Sequence, residues 1–350
     1  MSSSSSFPLL KLPFLCIELA LCNTEMLDLI TFSLASKGCH KLVKLVKTSV
    51  ENINFIVSKD NVKIWLETKE HIVHGELIFN FEKPEAGSGF RVTLNRYVDP
   101  TPIDNSELLK YYNFISDDLD KSIKSSIAYF KDLFKRPTMS ELRIYPAGFP
   151  KSKCPYRLNE QFKKLTIIGE EPMKNQELKK LIARTNFDKN LYLNIPIRPE
   201  FDCDPILFQK EQVNLVNVSA SWVTKEFLFS LTAKHIHIRF CDSEKITGND
   251  FVEFIDRWYN STENRFRSLQ IHWKVCPEAI DLSEYRPVLW DENRRSSSYP
   301  INRGYALDFK NGYDIKRADG TWATIQPRVN TLIFCVWEDL FPSLEGMVIV

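Results

Sequence analysis

The chain has 350 residues, which at about 150 residues per domain suggests two or three structural units. Hydrophobic residues make up 43% and charged residues 26%, so a core can form without disulfide or metal staples. Lysine plus arginine total 46 against 45 acidic residues, a net charge of +1. That balance argues against a nucleic-acid binder working by bulk charge and excludes an acidic solvating protein.

Residues 7–48 read as short helices. The opening run, 7–22, is strongly apolar, but no positive charge precedes it, Lys11 and Glu18 interrupt it, and Pro8 and Pro13 break it. It therefore does not fit a secretory signal. No run of 18 apolar residues occurs, so no membrane-spanning helix and no membrane partner is expected. Pro13 suits the first turn of a helix carrying Phe14, Leu15, Ile17, Leu19 and Leu21, with Asn23 as its stop. Thr24 is the expected cap of a second helix, with Glu25 and Asp28 in its first turn and Leu27, Ile30 and Leu34 at helical spacing. A third segment, 39–46, is basic on one face through Lys41 and Lys44. Apolar residues surround the second helix, more than a 40-residue unit can cover alone, which points to docking rather than catalysis.

Alternating runs at 62–65, 77–81 and 90–94 predict a small antiparallel sheet. Leu108, Tyr112, Ile115, Leu119, Ile123, Ile127, Phe130 and Phe134 recur at steps of three or four and predict a helix over 105–136. From there a repeat emerges. Strand-like pairs open at Leu142, Leu165, Leu191, Val213, Ile236 and Leu269, at spacings of 23, 26, 22, 23 and 33 residues. Most of these fall within the roughly 20–29-residue period of leucine-rich repeats. Helical stretches at 175–183, 223–231 and 249–258 fill several intervals, giving one strand and one helix per interval. No asparagine ladder accompanies the repeat, and a less regular α/β domain fits the same pattern. The stretch 294–298 reads as a mobile loop. Beyond it, Asn311-Gly312 and Asp319-Gly320 are strong hairpin signals joining strands at 305–310, 313–317 and 322–325, with a fourth at 332–337. Trp322 and Ile325 are expected to pack inward, and Arg317 to pair with Asp314 or Asp319.

Cys16, Cys22, Cys39, Cys154, Cys203, Cys241, Cys276 and Cys335 are scattered singly with no CxxC pair. In a chain this long they read as reduced thiols, hence a cytoplasmic or nuclear location. There is no HExxH, no GxSxG, no phosphate-cradling glycine loop and no paired zinc knuckle. The carboxylate pairs Asp117-Asp118 and Glu170-Glu171 lie on polar stretches and read as solvated surface. No catalytic residue and no cofactor is predicted.

Two stretches resemble a known family. The opening, with Leu12-Pro13 leading the first helix, Asp28-Leu29-Ile30 in the second and residues 32–37 (FSLASK) running into the third, resembles a nematode-type F-box. It departs from the common pattern at Cys39, where many F-boxes carry tryptophan. The tail, through residues 312–325 (GYDIKRADGTWATI) and 334–337 (FCVW), is similar to the type 2 F-box-associated domain of that family. With the elements read above, the expected fold is mixed α/β in four parts: a helical F-box at 7–48, a small sheet plus helical linker at 49–138, a degenerate leucine-rich-repeat-like solenoid at 139–275, and a C-terminal antiparallel β meander at 276–350. The resemblance implies a non-catalytic substrate receptor of a cullin-RING (SCF) ubiquitin ligase. Such a receptor binds a Skp-type adaptor, cullin through the adaptor, and a target protein.

Leu12, Pro13, Ile17, Met26, Leu29 and Ile30 are the residues expected to face the adaptor, although each could equally hold the three helices together. For the target, strand alternation in KHIHIR places His235, His237 and Arg239 on one face, with Gln270 and His272 beside them in the next strand. The same registration adds Arg143, Tyr145, Tyr192 and Asn194, residue types common at binding hot spots. Three histidines on one surface could also hold a metal, but with no assured carboxylate or cysteine nearby none is predicted. An ordinary polar strand face fits these residues as well.

Overall fold

The computed structural model describes residues 11–46, 50–58, 61–68, 75–80, 91–97, 109–115, 119–135, 137–146, 160–216, 222–241, 244–275, 280–302, 305–345 and 347–349. The chain divides into two compact units, residues 1–163 and 164–350.

The first unit opens with α1 (Phe14–Cys22), α2 (Met26–Ala35) and α3 (Lys37–Leu45). Pro13 is the N-cap of α1 and Asn23 its C-cap. Thr24 does not cap α2. Its hydroxyl donates back to the Ala20 carbonyl at 2.8 Å, and Glu25 takes the N-cap with no side-chain bond. A hydroxyl within reach of an unsatisfied C-terminal carbonyl closes the first helix instead of opening the second. Ser36 does cap α3, accepting from the Cys39 N–H at 3.1 Å.

A six-stranded mixed sheet follows, built from β1 (Val50–Val57), β2 (Asn61–Thr68), β3 (Gly75–Asn80), β4 (Arg91–Tyr97), β5 (Leu109–Ile115) and β6 (Thr138–Ile144) in the order β6-β1-β2-β3-β5-β4. The β1–β2, β2–β3 and β4–β5 pairs are antiparallel, whereas β1–β6 and β3–β5 are parallel. The helix expected over 105–136 begins only at α4 (Leu119–Leu133), and 109–115 is a strand. The run Lys110-Tyr111-Tyr112-Asn113-Phe114-Ile115 is aromatic and β-branched, so sheet pairing overrides its accidental helical spacing. Ile127, Phe130, Leu133 and Phe134 are buried along α4 and its end, as are Phe55, Ile64, Leu142 and Ile144 in the strands.

The second unit takes up the chain within β7 (Phe162–Ile168). It continues through β8 (Phe187–Asn194), β9 (Gln212–Leu215), β10 (His235–Cys241) and β11 (Ser268–Trp273). The β8–β9, β9–β10 and β10–β11 pairs are parallel. Between them run α5 (Asn175–Arg184), α6 (Lys225–Ser230) and α7 (Gly248–Tyr259), close to the predicted helices. Thr247 and Asp250 form a reciprocal capping box at α7. Leu191, Leu193, Val213, Leu215, Ile236, Ile238, Leu269 and Ile271 alternate into the core, as do Leu178, Leu181, Phe251 and Ile255 from the helices. The strand expected at 142–144, read as the first of this series, is β6 and belongs to the first unit.

The C-terminal strands divide between two sheets. The sheet of β8 to β11 is extended by β17 (Thr331–Val336), antiparallel to β11, and then by β16 (Trp322–Arg328), β15 (Tyr313–Lys316) and β12 (Val288–Leu289). A separate sheet contains β13 (Ser298–Asn302), β14 (Tyr305–Asp308) and β18 (Val348–Ile349). Asp319-Gly320 makes the expected hairpin between β15 and β16, with Gly320 at φ 94°. Asn311-Gly312 does not make the other one, because β14 pairs with β13 and β18 rather than with β15. Gly312 instead carries the chain from one sheet to the other, at a point where a Cβ would collide with the Thr324 methyl.

The expected mobile loop at 294–298 is an anchor. Arg295 and Asp314 are both about 1% exposed, and the Arg295 Nε donates to Asp314 Oδ1 at 2.8 Å. Arg294 reaches the other carboxylate oxygen at 3.1 Å, and the Thr324 hydroxyl donates to Oδ1 at 2.7 Å. Trp337 Nε1 donates to that same hydroxyl at 2.7 Å, and the Arg295 guanidinium lies 4.9 Å from the Trp337 ring. A string of arginine and serine reads as solvated only while the acid opposite is unseen. Arg317 is also buried, binding Asp319 at 2.6 Å and the Glu263 carbonyl at 3.0 Å over the Trp258 ring. Of the two pairings expected for it, the Asp319 one forms. Removing one partner of the Arg295–Asp314 pair strands a buried charge, so Asp314→Ala should cost about 3–5 kcal/mol in denaturant unfolding. An exposed control such as Lys316→Ala should change it by less than about 0.5 kcal/mol.

Candidate functional site

The three-helix head buries one set of apolar residues and leaves another in water. Ile17, Leu21, Met26, Leu29, Ile30, Cys39, Val43 and Val46 are buried. In contrast, Phe14 is 45% exposed, Leu15 67%, Leu19 60%, Leu34 55% and Leu45 57%. Leu15 and Leu19 are four residues apart on α1 and share a stripe, opposite the buried Ile17 and Leu21. The α2–α3 side of the head is seated on α4. Ser33 shares a hydrogen bond with the Tyr129 hydroxyl, His40 and Lys44 reach Asp132 at 2.7 and 2.5 Å, and the His40 ring lies 5.2 Å from that of Tyr129.

The residues expected to face an adaptor differ in exposure. Pro13 is exposed and Leu12 half-buried. Ile17, Met26, Leu29 and Ile30 point inward as the core of the head. The outward apolar residues are Phe14, Leu15, Leu19, Leu34 and Leu45. Helical spacing identifies a face, but in helices apolar all round it cannot say which face the neighbours take.

On the second unit, the predicted polar face exists. Register aligns Tyr192, Asn214, His237, Gln270, Ile333 and Gln326 in one row across β8, β9, β10, β11, β17 and β16. His235 Nδ1 lies 2.9 Å from the Ser268 hydroxyl, and Arg239 Nε donates to His237 Nε2 at 3.2 Å. Phe240 takes a positive φ of 58°, which breaks the β10–β11 register and sets its ring 5.0 Å from His272. Tyr192 lies under Lys164 at 5.6 Å, and Asn194 accepts from the Gly169 N–H at 2.9 Å through its carbonyl. Arg143 and Tyr145 fall in the first unit, where the Arg143 guanidinium binds Glu141 at 2.9 Å.

The face is not an open groove along its whole length. Tyr299 and Leu307, from β13 and β14, line a cavity of about 40 Å³ together with His235, His237, Ser268 and Gln270. That space suits about one water molecule. Residue order hides this cover, because 305–310 reads as a strand of the C-terminal meander whereas β14 pairs with β13 and β18. Among the described residues, no group of three or more His, Cys, Asp or Glu is placed to hold a metal ion. Nor is any helix among them long and apolar enough to cross a membrane.

Comparison with known proteins gives two relatives in Caenorhabditis elegans. Uncharacterized protein F59B2.9 is 24% identical over 373 residues, covering 98% of this chain and 81% of its own length. Uncharacterized protein F59B2.8 is 24% identical over 368 residues, covering 98% and 80%. No protein-family model matches the chain, and no solved structure does.

The head separates core from surface in a measurable way. Leu15→Asp with Leu19→Asp should leave the thermal midpoint and helical circular dichroism within error of the parent. Leu29→Asp should instead unfold the head, because it buries an unpaired carboxylate. The polar face carries a pH dependence. His237 is pushed down to about 4, chiefly by burial and then by Arg239 and His272, and burial also lowers His235. Both folded values lie below the ordinary histidine value of about 6.5. Their stabilisation is therefore complete above about pH 6.5 and is lost as the pH falls toward 4. The melting temperature should drop between pH 7.5 and 5, and His237→Gln should make that drop shallower.

Proposed function

We propose that the chain is the substrate-receptor subunit of an SCF-type cullin-RING ubiquitin ligase. Its helical head binds a Skp-type adaptor, and its second unit holds a target protein. The observation that carries this reading is the apolar stripe of α1 left in water, with Leu15 67% and Leu19 60% exposed on a head otherwise seated on α4. Surface of this kind is stabilised by a protein partner, since apolar burial contributes about 25 cal/mol per Å² before the ordering costs of association. The F-box resemblance of residues 12–37 supplies the identity of the partner. The tail resemblance supplies the rest of the family assignment, with β7 to β11 as a degenerate leucine-rich-repeat-like stack.

No bond chemistry is required of the chain. Its contribution is proximity: a target held beside a charged conjugating enzyme reacts at a raised effective concentration. Cytoplasm or nucleus is where such a ligase meets its targets.

Affinity purification from nematode cells tests the proposal. The parent chain should bring down the Skp-type adaptor and cullin. Leu15→Asp/Leu19→Asp should lose both together while folding normally. Retention of both by that variant, or their absence from the parent's partners, overturns the reading. Adaptor without cullin would make the chain an interaction protein acting outside the ligase.

A further inference from the structure

A second concavity lies just before the first residues of β10 and β11, with Ala233 and Phe266 in its lining. The residues just after α6, the last two turns of α7 and the segment entering β11 line a half-open cavity of about 220 Å³. Its floor is aromatic. Phe229 and Phe254 meet edge to face at 5.8 Å, Phe254 and Phe266 at 5.2 Å, and Trp258 completes the lining. The floor is rigid as well, because Trp258 and Phe266 both pack on Phe334 of β17, at 5.1 and 5.7 Å. Behind Trp258 stands the buried Arg317 guanidinium. The slot is therefore lined by aromatic rings that are packed on the core.

Two charged side chains stand at the rim. Arg257 is exposed and spends one N–H on the Phe229 carbonyl at 2.9 Å, leaving further donors free. Glu263 is exposed and accepts from the Arg265 N–H at 2.8 Å through one oxygen. Neither has an ionic partner among the described residues. The rim thus offers one positive donor set and one negative acceptor, with no net charge.

We infer that this slot binds one bulky apolar side chain of a peptide, whose flanking backbone carbonyl and N–H engage Arg257 and Glu263. Size fits, because an apolar cavity of about 150 Å³ already takes a benzene ring. Charge fits too. A lone cation such as methylated lysine would favour the aromatic walls but meet Arg257, and a lone anion would meet Glu263. A peptide unit presents an acceptor and a donor on either side of every side chain, which is what a rim of this kind complements. The inference rests on the proposal that the second unit holds a target. It specifies the chemistry recognised, a short exposed segment with a leucine, phenylalanine or tryptophan anchor.

Blocked tripeptides, acetyl-Gly-X-Gly-amide, titrated into the full chain and read by protein NMR or calorimetry, test it. With X as Leu, Phe or Trp, binding should be about tenfold or more tighter than with Ala or Asp. Phe254→Ala should abolish that preference. Arg257→Ala with Glu263→Gln should weaken binding severalfold at unchanged melting temperature, and because both residues are exposed this variant serves even if Phe254→Ala unfolds. Equal binding of all peptides overturns the inference. So does a preference for X as trimethyl-lysine, or discrimination that survives both variants. Adaptor co-purification with the same variants should be unaffected. A parent chain that binds adaptor but shows no peptide selectivity counts against the slot alone, and absence of adaptor from the parent counts against the ligase reading alone.

Discussion

Three short helices carrying more apolar side chains than they can bury in one another is the constraint from which the account follows. A nine-residue helix such as α1 has room for one buried stripe, here Ile17 and Leu21. Any large apolar residue off that stripe needs a neighbour. On the α2–α3 side α4 serves, with Tyr129 and Asp132 meeting Ser33, His40 and Lys44. Among the described residues none covers Phe14, Leu15 and Leu19, and Leu34 and Leu45 are also exposed. The proposed adaptor would cover them.

The second unit solves a different problem, which is rigidity. Its parallel strands bury one face on α5, α6 and α7, and its C-terminal strands are fastened by charges that the core encloses. Asp314 accepts from Arg294, Arg295 and Thr324 at once, and Arg317 ties the β15–β16 turn to the segment leaving α7. A buried carboxylate with that many donors is satisfied, whereas one with fewer would be a liability. Bracing of this kind keeps the aromatic slot open and the polar row of β8 to β11 in register. A surface meant to recognise another molecule benefits from such pre-ordering, since less entropy is lost on binding.

Much of this was legible from residue order. The apolar pairs of β8 to β11 stand out because each alternates in a half-buried strand, and the helices between them follow from their spacing. Other features depended on distant partners. Residues 109–115 mimic helical spacing, yet their aromatic and β-branched content pairs with β3 and β4. Arg294 and Arg295 look solvated until Asp314, about 20 positions on, is folded against them. Asn311-Gly312 is a hairpin signal by local chemistry, but packing of Tyr299, Leu307 and Phe309 on Ile333 and Trp337 sends β14 into another sheet. The orientation of the head was the hardest part: Met26, Leu29 and Ile30 are as apolar as Leu34, and only tertiary packing decides which of them meets water.

Hydrogen exchange on the purified chain, alone and with a purified Skp-type adaptor, tests the central claim most directly. The account predicts that slowed amide exchange on adding the adaptor concentrates in Phe14–Cys22 and the ends of α2 and α3, with residues 164–350 unchanged. Unchanged exchange throughout the head, or protection confined to the second unit, would contradict it.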